Sequence, residues 1–244
     1  MLSGTADLPA LAQHAGRVED FGAGPVTLGG AEIVQAAFEL PYRSRQTLLP
    51  PGLHPTTPPL LVVLAWRVHD SPWGAFSMVQ TRISCRSGVR PRGFVARCIV
   101  EGEGAAAGLA RGWGLPTADG TVHLERAFDR AQLSATQHGT TVIAVSAVDP
   151  EPLNPGDAQF TVTTTLAHTP RGLRLVQVEP EYELQRVERA RPRLLACDET
   201  ACGLSDAPPG SPVAATVSVG TITLPPVRFI ARPDVSAFVG TEAV

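Results

Sequence analysis

Read for hydrophobic periodicity, the chain is a succession of strands. Alternating or continuous apolar runs predict strands at 31–40, 60–69, 75–85, 93–101, 140–148, 158–166, 172–179 and 214–223. Over 158–166, Phe160, Val162, Thr164 and Leu166 fall on one side and Thr161, Thr163 and Thr165 on the other, the pattern of a half-buried antiparallel strand. Over 217–224 the apolar set changes phase at Gly220, from Val217 and Val219 to Ile222 and Leu224, which predicts a bulge or bend. One segment is strongly helical: 103–113, rich in alanine and ended by Pro116. A second helix is expected over 181–190, where Leu184 and Val187 stand among charges. The Pro- and Gly-rich stretches 50–59, 150–156 and 206–212 lie between strands of like character, so they read as loops inside one domain spanning 1–244. Many short strands with one or two short helices predict a mainly β (α+β) fold, closed as a barrel or cone, whose enclosed space is a natural ligand pocket.

Composition removes several function classes. Hydrophobic residues make up 43% of the chain, enough for a sizeable core, and the net charge of −3 leaves no face for a polyanion. Nucleic acid is therefore not an expected partner, because such binding rests on concentrated positive charge. The start, Met-Leu-Ser-Gly-Thr-Ala-Asp, has neither the basic residues nor the apolar run of a signal peptide. The most apolar stretch, 60–66, is too short to span a bilayer. A soluble cytoplasmic protein without a membrane partner is the expectation. Cys197-x4-Cys202 would be half of a metal site, but the second half is missing, and Cys85, Cys98, Cys197 and Cys202 read as free thiols. The histidines, at 14, 54, 69, 123, 138 and 168, have no ligand spacing, so no metal is expected. Neither Gly22-x-Gly24 nor Gly29-Gly30 leads into a helical pattern, so no dinucleotide loop and no cofactor is expected. Composition leaves the oligomeric state open, a homo-oligomer included.

The chain also contains no lysine: its 20 basic residues are all arginine. Where lysine is missing matters. Residues 103–118 read Glu-Gly-Ala-Ala-Ala-Gly-Leu-Ala-Arg-Gly-Trp-Gly-Leu-Pro-Thr-Ala, and 49–55 read Leu-Pro-Pro-Gly-Leu-His-Pro after Tyr42-Arg43. In this order and spacing the two segments resemble acetoacetate decarboxylases, which carry a Leu-Pro-Pro-Gly-Leu-Glu-Pro loop and a small-residue helix running into Trp-Gly-Phe-Pro-Lys-Lys. The likeness covers roughly the N-terminal half; beyond it only strand content agrees. It implies the family's β-barrel or cone, with helix 103–113 delivering 113–118 to the mouth of a cavity. It also implies a Schiff-base mechanism, for which the family uses a lysine amine whose pKa is depressed by a neighbouring cation and an apolar pocket. This chain has Thr117 and Ala118 where the family has its paired lysines. Arginine stays protonated and cannot replace them. Counting from Tyr42-Arg43, the family's substrate-binding arginine falls at Gln35. Counting from His69-Asp70, its two glutamates fall at Leu64 and at Met78 or Val79. Every charged member of the set is replaced by a neutral residue.

The resemblance thus implies a pocket lined by Gln35, Trp66, Met78, Trp113 and Thr117, with Thr117 and Gln35 as its polar, catalytic members. Trp66, Met78, Trp113, Tyr42 and Arg43 are the expected substrate contacts. A pocket without titratable groups suits a reaction accelerated by holding a flexible chain in its reactive fold. The expected function is a cofactor-independent cyclase, cycloaddition included, acting on a small hydrophobic or polyketide-like molecule in secondary metabolism. The alternatives are a lyase, hydratase or dehydratase using Glu103, Arg43 or His69 in new roles, and a non-catalytic small-ligand-binding protein. Each of the single-residue roles also has a plain structural counterpart: Thr117 as a turn residue, Trp66 and Trp113 as core, His69-Asp70 as strand residues pointing to opposite faces.

Overall fold

A computed structural model describes residues 2–244. A short helix α1 (Leu8–Ala12) leads into strands β1 (Gly16–Arg17), β2 (Val26–Glu39), β3 (His54–Pro55), β4 (Leu60–Val68), β5 (Phe76–Ser87) and β6 (Arg90–Glu101). Helix α2 (Glu103–Trp113) follows, then β7 (Thr117–Asp119), β8 (Thr121–Arg126), β9 (Arg130–Gln137) and β10 (Thr140–Pro152). The C-terminal part holds β11 (Thr163–Thr169), β12 (Gly172–Val178), β13 (Glu181–Cys197), β14 (Pro212–Leu224), β15 (Phe229–Ala231), helix α3 (Ala237–Gly240) and β16 (Thr241–Ala243).

The sixteen strands of the described residues belong to one sheet, in the order β16-β15-β12-β11-β6-β5-β4-β2-β14-β13-β10-β9-β8, with β1 beside β11, β3 beside β5 and β7 beside β6. The mainly β class and the helix at 103–113 are as expected, but the sheet is not closed. Its path has two ends, and β8 packs back over β4, β5 and β6 without pairing to them. This coiling creates two cores on opposite faces of β2, β4, β5 and β6. The first lies inside the coil and joins Val34, Val63, Val79 and Ile99 to Leu124, Leu133 and Val145. The second, on the other face, joins Ile33, Leu64, Trp66, Met78 and Cys98 to Leu109 and Trp113 of α2. Because both faces are buried, these strands read as continuous apolar runs.

Helix α2 ends as its sequence requires. Gly114 adopts a left-handed conformation (φ 66°) and its N–H donates to the Ala110 carbonyl at 2.8 Å, closing the last turn. Gly108 lets the helix press on Trp73, since a Cβ there would run into the indole.

Three expectations need correction. Segment 181–190 is not a helix but the start of β13; a bulge between Leu184 and Arg186 breaks the alternation and puts Leu184 and Val187 at a spacing that mimics a helical turn. The strand expected at 158–166 begins only at Thr163, because β11 pairs with β6 through Thr163 and Thr164 alone and 158–162 has no ladder neighbour. Its threonine side is also not solvated: Thr163 and Thr165 are buried. The irregularity expected at Gly220 is present, between Gly220 and Ile222, but the extra residue belongs to the opposing Gly29-Gly30 of β2. The phase change in 217–224 has a second cause, since Val217 serves the first core and Ile222 and Leu224 the second.

Candidate active site

The register of the central strands gathers the positions singled out by resemblance. One cross-strand row runs Thr216, Gln35, Leu64, Gln80, Cys98, Thr117. The adjacent row on the same face runs Ser218, Ile33, Trp66, Met78, Val100. Residues opposite each other in neighbouring strands lie about 5 Å apart, so each row is a continuous strip of side chains. Of the residues expected in the pocket, Gln35, Trp66, Met78 and Thr117 therefore share one face, and Trp113 belongs to the same core. They do not line a common void: of the molecule's five main clefts, only one touches any of them, through Trp113.

Each has a definite local task. Thr117 Oγ1 donates to the Ala106 carbonyl of α2 at 3.2 Å, tying the helix to β7. Trp113 is 2% exposed, donates from Nε1 to the Pro225 carbonyl at 2.7 Å and meets Trp73 edge to face. Trp66 packs edge-on against Tyr182, their ring centroids 6.5 Å apart. Met78 Sδ accepts from Gln80 Nε2 at 3.6 Å. Tyr42 and Arg43 are not gathered with the others. They sit on a 3-10 turn, Tyr42–Arg45, where Tyr42 is 58% exposed and is covered by the Arg45 guanidinium. His69 is bonded to Glu32, which also holds Arg67, and Glu103 is exposed on the first turn of α2.

Gln35 has the most informative contacts. Its Nε2 donates to the Gln159 carbonyl at 2.9 Å and its Oε1 accepts from the Thr161 N–H at 3.1 Å. The side chain thus clasps the backbone of 158–162, the segment that failed to form a strand, and holds it across the two rows. Arg82 completes the attachment through Nη1 to the Thr161 carbonyl at 2.6 Å, while its Nε donates to Gln80 Oε1 at 2.7 Å. Phe160 of the strap stacks on Tyr182, centroids 4.3 Å apart. Replacing Gln35 by leucine should release this strap. Losing two hydrogen bonds is expected to speed amide exchange over 156–162 about tenfold or more. Unchanged exchange in deuterium-uptake mass spectrometry would show that the clasp does not hold it.

The site is therefore not the apolar wall anticipated from the replacements. Arg82 is 1% exposed in the middle of β5. Burial lowers its pKa to about 10, against the opposing influence of Tyr182 and Cys98, so it remains a cation at neutral pH. Burial pushes the Tyr182 phenol up to about 12 and the Cys98 thiol up to about 12, so both keep their protons. The edge of the Tyr182 ring also reaches a cleft of about 280 Å³ on the outer side of the strap, lined by Pro155, Ala158, Phe160, Thr161, Tyr182 and Leu184 among others. Sequence reasoning missed Arg82, Gln80 and Tyr182; an arginine inside an apolar strand, between Met78 and Ile83, was the available signal.

Cys197 and Cys202 are free, as expected, with their sulfurs 3.7 Å apart. Among the described residues no cluster of His, Cys, Asp or Glu could hold a metal, and no helix is long and apolar enough to cross a membrane.

This open, coiled sheet with one packed helix is the fold of acetoacetate decarboxylases and their relatives. Residues 11–196 match the family model for acetoacetate decarboxylase, and the chain belongs to that family. A solved acetoacetate decarboxylase superposes with a TM-score of 0.76 at 16% identity, over 85% of this chain and 89% of the other. The enduracididine biosynthesis enzyme MppR, complexed with pyruvate, gives 0.69 at 18% identity, over 84% and 90%. An acetoacetate decarboxylase-like enzyme from Sphingomonas wittichii RW1 gives 0.66 at 18% identity, over 92% and 98%. No curated protein matches the sequence.

Proposed function

We propose that this chain is an enzyme that acts on a small carbonyl-bearing molecule without forming an imine, and that its reaction is an intramolecular ring closure, cycloaddition included, in polyketide-like biosynthesis. The observation that carries this reading is the row Gln35, Leu64, Gln80, Cys98, Thr117, in which every position is neutral and the two expected lysines are Thr117 and Ala118. The cation beside the row, Arg82, is a guanidinium, which forms no imine. The neighbouring thiol and phenol are held protonated by burial, so neither is a poised base. What such a site offers is a fixed shape and hydrogen-bond donors. Folding a flexible substrate into its reactive conformer while Arg82 or Tyr182 polarises a carbonyl oxygen lowers the barrier to ring closure.

MppR lends support from chemistry on the same fold, since its complexes hold pyruvate and the condensation product of pyruvate with imidazole 4-carboxaldehyde. A composition free of lysine and rich in alanine, proline and arginine suits a biosynthetic origin in a high-GC genome. The hydratase or lyase reading draws on Glu103, Arg43 and His69, which lie on three separate elements and meet no common cleft. Borohydride reduction in the presence of acetoacetate or pyruvate should leave the intact mass unchanged. A reduced adduct on the folded protein would overturn the non-imine reading. With a turned-over substrate in hand, a pH–rate profile flat around neutrality is expected, and a bell with limbs near neutral pH would replace ring closure by acid–base lyase chemistry.

A further inference from the structure

Among the described residues, seven buried side-chain polar atoms have no protein partner, and five of them belong to the second-core face: Trp66 Nε1, Arg82 Nη2, Thr163 Oγ1, Tyr182 Oη and Ser218 Oγ. Register fixes their common side. Ser218 stands opposite Ile33, Thr163 opposite Val178 and Tyr182 opposite Ile222, all second-core residues, and Arg82 alternates with Met78 and Gln80 along β5. Native proteins pair nearly all such atoms, so five orphans on one face are a concentration that packing alone does not produce. All five can donate a hydrogen bond.

Arg82 is the centre of this set. The buried Arg92 is paired with Glu179, and the partly buried Arg67 and Arg126 with Glu32 and Glu188. Arg82, more deeply buried than Arg67 or Arg126, has only neutral partners, Gln80 Oε1 and the Thr161 carbonyl. A buried cation without an anion is costly, and replacing it by an apolar side chain would ordinarily be neutral or stabilising. Its retention here points to something outside the chain. The carbonyl that occupies Nη1 comes from the strap, which has no ladder neighbour and borders the 280 Å³ cleft. The acceptor now on Arg82 is thus supplied by the most loosely attached segment of the site.

We propose that this face is an oxyanion-binding site for a small organic molecule, with Arg82 as its cation, Tyr182 and Trp66 as neutral donors, and strap 158–162 as the cover that gives way when the ligand enters. The ligand class is a hydrophobic molecule bearing a planar oxyanion, either a carboxylate or the enolate of a 1,3-dicarbonyl. The apolar remainder lies along Phe160 and Leu184. This rests on the reading that a substrate occupies the second-core face.

Calorimetric titration with 3-oxooctanoate, its methyl ester and octane-2,4-dione tests it, using the wild type, Arg82→Met and Tyr182→Phe. The wild type should bind the acid at least about tenfold more tightly than the ester, the value of a hydrogen bond to a charged group. Arg82→Met should melt at the wild-type temperature or above and lose about tenfold to hundredfold in affinity for the acid while leaving the ester unchanged. Binding of the dione with appearance of enolate absorption at neutral pH would assign the enolate source; binding of the acid alone would assign the carboxylate. Equal binding of acid and ester, or no binding of any probe, would overturn the proposal. So would an Arg82→Met protein that binds the acid as the wild type does. If Arg82→Met does not fold, Tyr182→Phe, which keeps the stack on Phe160, decides: weaker acid binding supports the site and unchanged binding refutes it. No turnover enters these measurements, so a borohydride adduct would sink the non-imine chemistry without touching this result.

Discussion

The protein should lose roughly 5 kcal/mol of folding stability between pH 9 and pH 11, enough to unfold many domains of ordinary stability. The cause lies in three buried acids. Burial pushes Cys85 from 9.0 to about 12, Cys98 from 9.0 to about 12 and Tyr182 from 10.0 to about 12. A group whose pKa is raised by folding stabilises below its unfolded value, and that stability is lost as pH climbs toward the folded value. Each thiol therefore forfeits ~3 kcal/mol from pH 9 to 11, and the phenol ~1.4 kcal/mol from pH 10 to 11, at ~1.4 kcal/mol per pH unit. Arg82 works the other way. Burial lowers it from 12.5 to about 10, so the cost of its charge is relieved as pH rises above 10, returning ~1.4 kcal/mol by pH 11. Cys202 is raised by its bond to Cys197 and Cys197 lowered by the same contact, so this pair offsets itself in part. Urea denaturation at pH 8 and pH 11 measures the difference. Cys98→Ala should shrink it by ~3 kcal/mol, and stability that does not fall at pH 11 would show that the thiols are not sealed as the packing implies.

What the sequence revealed and what it hid follow from the range of the interactions concerned. Strands β4, β5, β12 and β14 and helix α2 were legible because burial imposes a local period, whichever neighbours supply it. Segment 181–190 misled because a bulge is set by pairing with β14, and its spacing from Leu184 to Val187 is indistinguishable from a helical turn along the chain. The alternation at 158–162 was real but found no ladder, so it became the strap. At the site, counting from Tyr42-Arg43, His69-Asp70 and Trp113 placed Gln35, Leu64, Met78 and Thr117, and the register puts them on one face. Arg82 and Tyr182 escaped because their meaning is tertiary. A lone arginine in a strand looks like an edge residue until β13 and the strap bury it, and Tyr182 comes from the half of the chain where only strand content resembled the family. Gln35 changed meaning altogether: the residue read as a substrate contact is a clasp on the strap.

Trp113→Ala should cost the fold about 3–5 kcal/mol, the usual penalty for emptying a buried tryptophan site, and lower the melting temperature by roughly 6–20 °C for a domain of this size. The indole fills the layer between α2 and the 225–227 loop, and its removal leaves the Pro225 carbonyl without its donor as well as a void beside Trp73. Thr117→Val is a smaller change at the other end of the same helix contact. It removes the bond to the Ala106 carbonyl and should cost about 0.5–1.5 kcal/mol. The comparison separates two roles for Trp113. Its side chain lies in neither cross-strand row, and its cleft, bounded by Glu19, Trp73 and Arg111, lies apart from the strap. Its effect on turnover or ligand binding should therefore follow the folded fraction. Measured well below the mutant's melting temperature, affinity for a ligand of the second-core face should stay near the wild-type value. A Trp113→Ala protein that melts like the wild type yet loses its activity would place the ring against the substrate, and the cavity would then have to extend from the strap to the end of α2.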